Sequence, residues 1–460
     1  MRMLSDGVLG LLMAAALMGG GTARAETLAD ALAAGYESSG VLDQNRALLR
    51  TADEDVARAV ASLRPILSWV ANVQAAYPGS PLATYSVGDV QLGASIGLQG
   101  SLTIYDAGGR LLDVDQQKEL VLATRQSLLD AEQQILLRIV QAYMEVRRTG
   151  EFVALRQSNV RLITQELRAA QDRFDVGEVT RTDVALAEAR LAAARSLLAA
   201  EEGNLVRAIE EFRAAVGRSP DSPAPANPAS IPQSIPEAKA VALRTHPALL
   251  QAQHEVAAAE IAIARAEAAL SPTVSLSGQL QLNEDLDESA SIGLQATGPL
   301  YQGGALASQV RQVMARRDAA RGGLISTARA VEQNVGNAYA SLEVSRASRD
   351  AYERQVEAAS IAFNGVREEA TLGARTTLDV LDAEQELLDA RANLISSEVD
   401  ETVASYQLLS AMGLLTARNL GLAVQIYDPT AYYNLVDDAP AARSEQGEAL
   451  DRVLESIGRE

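Results

Sequence analysis

The chain has no cysteine in its 460 residues, so disulfides, thiolate metal sites and a lipid anchor on cysteine are all excluded. It has two histidines, His246 and His254, with no cysteine neighbours, which gives ordinary structural residues and no metal-ligand constellation. Only 4% of residues are aromatic, and no proline falls between Pro81 and Pro220 or between Pro299 and Pro429. Stretches of that length without proline favour extended helices over a compact mixed fold. Basic excess is missing too. The net charge of −20 removes nucleic acid as a partner, because a phosphate binder needs a cationic surface to release counterions. No nucleophile–base arrangement stands out, and the "GG" pairs at Gly108 and Gly303 lack the other residues of a phosphate loop, so neither an enzyme nor a cofactor is expected. Past the N-terminus there is no apolar run of about 18 residues, so strands would have to make any membrane crossing.

The N-terminus carries Arg2, an apolar run from Val8 to Met18 and "TARA" before Glu26, the pattern of a secretory signal over residues 1–25. The rest is one unit written twice. "SIGLQ" at Ser95 recurs at Ser291, an offset of 196 (291 − 95) that also carries Tyr105 to Tyr301, Gly177 to Gly373, Asp183 to Asp379 and Gly217 to Gly413. The first repeat spans residues 26–217 and the second 239–415. Between them, residues 218–238 hold six of the chain's 14 prolines and read as an extended linker. Residues 416–460 form a C-terminal equatorial segment carrying "IYDPTAYYNLVDDAP", followed by an acidic tail, and the tail is expected to be mostly solvated.

Inside each repeat the apolar period changes from 3.6 to 2. Leu92, Ala94, Ile96, Leu98, Leu102 and Ile104 alternate with polar or glycine positions, and Val274, Leu276, Leu280 and Leu282 do the same in the second copy. Four strands are expected, near 66–77, 91–104, 273–283 and 290–300, each close to the roughly 9 to 11 residues that cross a bilayer. Four strands cannot close a barrel. An open sheet in lipid leaves its edges unpaired, so they must pair with other copies, and three copies giving twelve strands leave a passage where eight would be filled. Trp69, Tyr77, Tyr105 and Tyr301 sit near strand ends, where an interfacial girdle would lie. After the second strand of each repeat a long helix is expected, the first from about Asp106 to Asp175, with an apolar stripe (Leu128, Ile135, Ile139, Ala142, Val146) repeated at Leu324, Val331, Val335, Ala338 and Leu342. Shorter helices near 28–63 and 182–216 would together match its length. The expected fold is mainly helical with membrane strands, a helical tube below a barrel.

The repeat, "LRP" before the first strand, "VGEVTRTDV", "LGARTTLDVLDAEQ", "SAMGLL" and the later "YDP" resemble the TolC family of outer-membrane exit ducts over nearly the whole mature chain. The resemblance implies a homotrimer with a 12-stranded outer-membrane barrel continuous with a 12-helix periplasmic barrel. It implies docking with a periplasmic adaptor and an inner-membrane ABC or RND-type transporter, to export proteins or small toxic compounds. It also implies that Asp379 and Asp382 match cation-binding aspartates, that Arg375 and Asp183 match a closing network, and that Gly177 and Gly373 shape the entrance turns. Ala370 stands where a tyrosine of that network is expected.

Two readings of the entrance phrase compete. Thr180 with Asp183, and Thr376 with Asp379, fit helix capping boxes. Capping leaves Asp382 unexplained. In a trimer, Asp379 and Asp382 of each chain would ring one aperture with carboxylates, favouring cations and admitting block by multivalent ones. Two further readings stay open: a free-standing outer-membrane pore, and a periplasmic coiled-coil scaffold.

Overall fold

A computed structural model describes residues 26–76, 91–232, 234–283 and 285–457. The signal segment and Tyr77 lie outside the described residues. In chain order the elements are α1 (Leu28–Glu37), α2 (Gly40–Ala61), β1 (Ile66–Ala76), β2 (Gln91–Tyr105), α3 (Gly109–Asp175), α4 (Arg181–Val216), α5 (Ile235–Thr245), α6 (Pro247–Ala268), β3 (Thr273–Asn283), β4 (Glu288–Thr297), α7 (Ala305–Thr371), α8 (Thr377–Ala411), α9 (Tyr433–Val436) and α10 (Glu445–Ile457).

The sheet is antiparallel throughout, in the order β1-β2-β3-β4, so the seam between β2 and β3 joins the two repeats. Residues directly opposite one another project to the same face. Trp69, Leu98, Leu280 and Ala290 form one such row, and Ser68, Gln99, Gln279 and Ser291 form the next. The period-2 pattern of each strand therefore adds up to one apolar and one polar face across four strands. Nothing among the described residues covers the apolar one: Val73 is 80% exposed and Ile292 is 86%. β1 and β4 each pair on one side only among the described residues.

The fourth strand begins and ends earlier than its apolar pattern predicts. It leaves the sheet at Thr297 because Gly298 is pressed against Pro272, 3.2 Å from where a Cβ would stand, and Pro299 has no N–H to give to a ladder. The strand-to-helix turns also differ. In the first repeat, Arg110 pairs with Asp106 at 2.8 Å and donates to the carbonyls of Thr103 (2.6 Å) and Ser62 (2.7 Å), tying both ends of the hairpin to α3. The second repeat has Leu306 at the matching position and leaves Tyr301 89% exposed.

The long helices α3 and α7 are 67 residues each, about 100 Å at the usual rise. Both start after a glycine and end in a glycine turn. α3 doubles back into α4 and α7 into α8, and α2, α3, α6 and α7 lie side by side in that order. No helix is long and apolar enough to cross a membrane among the described residues.

The core lies around the middle of α3, where Leu136, Ile139 and Tyr143 pack with Phe212 of α4, Leu342 of α7 and Leu408, Met412 and Leu415 at the end of α8. The Tyr143 hydroxyl lies 2.8 Å from the carbonyl oxygens of both Glu26 and Ala224, which brings the linker into this core. The linker is extended as its prolines dictate, and it is docked: Ala229 N–H donates to Ser405 Oγ at 2.8 Å.

Ahead of the mostly exposed acidic tail, residues 427–436 are docked as a strap. Val436 is fully buried in a cluster with Ala57 of α2 and Tyr432, and α10 sets Leu450 against it. Tyr432 donates to Glu54 at 2.6 Å, while the Arg46 guanidinium stands between the rings of Tyr36 and Tyr427, 5.4 Å from each. The apolar body and polar tip of each tyrosine let this charged surface bind the strap. Beneath it Asp53 of α2 is fully buried, and neither carboxylate oxygen has a hydrogen-bond partner among the described residues. Burial, set against the charge of Arg125 and reinforced by Glu54, pushes its pKa up to about 6.

Candidate functional site: the entrance turns

Far from the sheet, α3 turns into α4 and α7 into α8, and the two turns are built alike. Gly177 and Gly373 take left-handed backbone angles (φ 82° and 78°) that a residue with a Cβ adopts only under strain. Each sits where a Schellman closure needs it. Glu178 N–H donates to Arg173 O, and Ala374 N–H to Glu369 O, both at 2.9 Å. Three residues after each glycine a threonine caps the next helix. Thr376 Oγ1 accepts from Asp379 N–H (3.2 Å), and Asp379 Oδ2 accepts from the Thr376 backbone N–H (2.9 Å) and hydroxyl (2.8 Å). Thr180 and Asp183 repeat the arrangement. These bonds, from the threonine backbone first and its hydroxyl second, hold both aspartates below the usual carboxylate range, with Arg375 adding to the effect on Asp379. Capping is thus present at both turns, and it favours the charged form of both aspartates.

Asp379 and Asp382 lie one turn apart at the start of α8, as their spacing requires. Asp382 is not free. Its Oδ1 accepts from Arg190 Nη2 of α4 at 2.9 Å, both side chains being partly exposed. Arg375 pairs with Glu369 at 2.8 Å across its own turn. Asp183 stays with Thr180, so within one chain no contact between Arg375 and Asp183 is found among the described residues. Ala370 is buried with Phe363, Val380 and Leu387 and adds only apolar packing there.

Sequence reading missed three residues: Arg190, Asn159 and Glu384. Glu384 is 5% exposed, and its Oε1 accepts from Asn159 Nδ2 at 2.7 Å. Burial raises its pKa to about 7, the Asn159 bond lowering it and Glu166 raising it further. A signal existed. Glu384 falls on the stripe of Val380, Leu381, Leu387 and Leu388, where a charged side chain contradicts the apolar pattern. Each histidine has a local partner: His246 caps α6 by accepting from Ala248 N–H at 3.2 Å, and His254 pairs with Glu119 at 2.8 Å.

At the other end, Trp69 in β1 is 73% exposed on the apolar face, and Tyr105 (53%), the last residue of β2, and Tyr301 (89%), after β4, stand at the same, helix-proximal edge of the sheet.

A family model described as "Outer membrane efflux protein" matches residues 37–218 and 240–414, one match to each repeat. The chain belongs to this family. It is 36% identical over 436 residues, 93% of this chain and 94% of the relative, to the outer membrane efflux protein BepC of Brucella suis biovar 1. To the outer membrane protein TolC of Escherichia coli K12 it is 25% identical over 342 residues, 70% of this chain and 67% of that protein. Among solved structures, the Campylobacter jejuni CmeC outer membrane channel superposes with a TM-score of 0.75 at 16% identity, covering 90% of each chain. The resemblance read from the repeat and its turns is therefore the right one, and the fold is that of the outer-membrane efflux channels. The chain is an outer-membrane protein whose helices extend into the periplasm.

Proposed function

We propose that three copies of this chain close their sheets edge to edge into a 12-stranded barrel, and their helices into a tube of twelve. The assembly is the passive exit duct of a tripartite export system. A periplasmic adaptor and an inner-membrane transporter of the ABC or RND type supply the energy and the cargo. One observation carries the reading: a four-stranded sheet has a bare apolar face and two unpaired edges, on helices about 100 Å long. In lipid each unsatisfied backbone group costs several kcal/mol, so the edges need sister strands. Trp69, Tyr105 and Tyr301 then stand at the periplasmic lipid interface, as amphipathic rings prefer.

At the far end Asp379 and Asp382 of three chains ring the aperture, and Arg375 and Asp183, uncoupled within a chain, meet across chains to close it. The ring favours cations and binds multivalent ones. The likeness to BepC, named an efflux protein, favours small-molecule export over protein secretion. Crosslinking in cells followed by affinity capture tests this. An adaptor together with a transporter supports the reading, and the transporter's class names the cargo. Capture of neither would leave a free-standing pore.

A further inference from the structure

The chain has a net charge of −20, yet residues 305–330 of α7 hold five arginines against one acid. Arg317 pairs with Asp318 at 2.6 Å and Arg321 with Glu260 of α6 at 2.5 Å. Arg311 and Arg329 are exposed and make no ion pair among the described residues. They close the two ends of one row: positions 311, 314, 318, 322, 325 and 329 follow one another by three or four and so share a side of the helix. In that row Met314 is 36% exposed and Ile325 55%, and a Cβ added at Gly322 would meet nothing within 4 Å. The matching positions of the first repeat are Asp115 for Arg311, Lys118 for Met314, Leu129 for Ile325 and Gln133 for Arg329. The bare row bounded by arginines belongs to the second repeat alone.

A surface of opposite charge stands at the other margin of the subunit. In α10, Leu450, Val453 and Leu454 lie on one side of the helix and Glu448, Asp451 and Glu455 on the other. Leu450 rests on Val436 and Ala57, so the apolar side faces the strap and the three acids point away from it, all exposed. Glu448 and Asp451 make no ion pair among the described residues. The strap lies on α2, and α3 and α6 separate α2 from α7, so within one chain the acids and the arginine row stand apart. Closing a ring of copies brings α2 of one beside α7 of the next, and a rotation about the axis of the tube leaves every residue at its own height. Ala57, under α10, is four residues from the sheet-proximal end of α2 (61 − 57), and Met314 is nine from that of α7 (314 − 305), about 6 and 14 Å along their helices. The two surfaces therefore face each other across the seam within about two turns of the same height.

We propose that the acidic side of α10 in one subunit docks on the Arg311–Arg329 row of α7 in the next, a clasp repeated at each of three seams. The proposal rests on the three-copy reading above. With 13 residues α10 is about 20 Å long, against about 27 Å from Arg311 to Arg329, so one helix covers most of the row. Helices that lie on lipid carry Lys and Arg on their polar side, whereas α10 has four acids and one arginine, which suits a guanidinium surface and not an anionic bilayer. Exposed pairs hold little singly and are screened by salt, so the seam that the clasp closes is a salt-sensitive one.

Two measurements on the full-length protein in detergent test it. For the first, two differently tagged chains are co-expressed, one with Glu448→Cys and one with Met314→Cys; the native chain has no cysteine to compete. A short bis-maleimide should join the two tags, and should not do so when Ile361→Cys, an exposed site farther along α7, replaces Met314→Cys. For the second, Arg311→Glu with Arg329→Glu, and separately Glu448→Arg with Asp451→Arg, should each raise the fraction of dissociated subunits about five-fold, the effect of one exposed ion pair at its strongest. All four substitutions together should restore wild-type association, and the differences should vanish at about 1 M salt. A trimer that yields no crosslink, or reversals without effect, overturns the clasp alone. So does a fluorophore on the Glu448→Cys variant that spin-labelled lipid quenches in vesicles, which would give α10 to the bilayer. A wild-type protein that sediments as a single chain overturns the three-copy reading and the clasp with it.

Discussion

Helices α3 and α7 have the same length, follow matching glycines and end in matching turns, yet over the stretch next to the sheet one buries side chains and the other none. From Gly109 to Gln134, α3 buries Val114, Val121, Ala123, Leu128, Glu132 and Gln133, while α7 buries no residue between Ala305 and Ala330. The cause is position. Along this stretch α3 lies between α2 and α6, whereas α7 has α6 on one side only among the described residues; further on, α7 packs against α5 and α8. Since β4 ends the sheet where α7 begins and β1 opens it after α2, the bare faces of α7 and α2 stand at the two margins of one subunit. The repeat supplies two equivalent building blocks, and under the proposed trimer the difference between them marks where the next subunit belongs.

The sharpest way to break this comparison is a matched pair of truncations. Leu128→Ala removes a buried side chain and should destabilise the subunit itself by about 2–5 kcal/mol. Leu324→Ala, at the matching and only half-buried site, should leave subunit folding nearly unchanged and lower the stability of the assembly. Thermal melting with and without trimer-dissociating conditions separates the two, and equal effects would mean that the helices are not in different environments. A second test compares sheet faces. Leu98→Arg on the apolar face should cost about 2–4 kcal/mol in the bilayer and abolish outer-membrane assembly, whereas Gln99→Arg on the polar face should assemble normally. Assembly of both would show that lipid does not cover the apolar face.

A third test uses the strap, which the first repeat alone supports. The Asp53 pKa is raised in the folded chain from 3.8 to about 6, so the fold binds the proton that the unfolded chain has lost. The stabilisation is fully present below the unfolded value and is lost as pH rises through about 6, on the order of 2 kcal/mol in all. The protection factors of residues 427–436, which remove the intrinsic pH dependence of amide exchange, should therefore fall between pH 4 and 6 and level off above. Arg125 of α3, Glu54 and Arg50 of α2, and Tyr427, Tyr432 and Tyr433 of the strap surround Asp53 with charge or polarity, and Asp53→Asn should flatten the profile at its slow end. A variant that keeps the wild-type profile removes Asp53 as its source. The smallest effect on stability, about 1 kcal/mol per lost cap, should come from Asp379→Ala with Asp382→Ala, yet that variant should lose both cation selectivity and block by multivalent cations. Retention of both in bilayer recordings would reduce Asp379 to a cap and Asp382 to a partner of Arg190.

Much of the fold was legible because the repeat wrote it twice. Alternation at Leu92–Ile104 and at Val274–Leu282 names the strands, and the paired glycines name the turns. Residues acting locally were equally readable, Thr376 and Asp379 above all, since a capping box spans four positions. What sequence could not supply is pairing at a distance. Arg190 lies 192 residues from Asp382, and Asn159 lies 225 from Glu384, and no offset of the repeat links them. The strap shows the same limit: the surface that receives Tyr427, Tyr432 and Val436 is built by α2, nearly 400 residues earlier in the chain.

The central claim is that the bare sheet face and its two unpaired edges are completed by sister copies in lipid. Sedimentation of the purified full-length protein in detergent tests it most directly. A single species of three chains that aggregates when detergent is withdrawn is the predicted result. A stable single chain, soluble without detergent, would contradict the account.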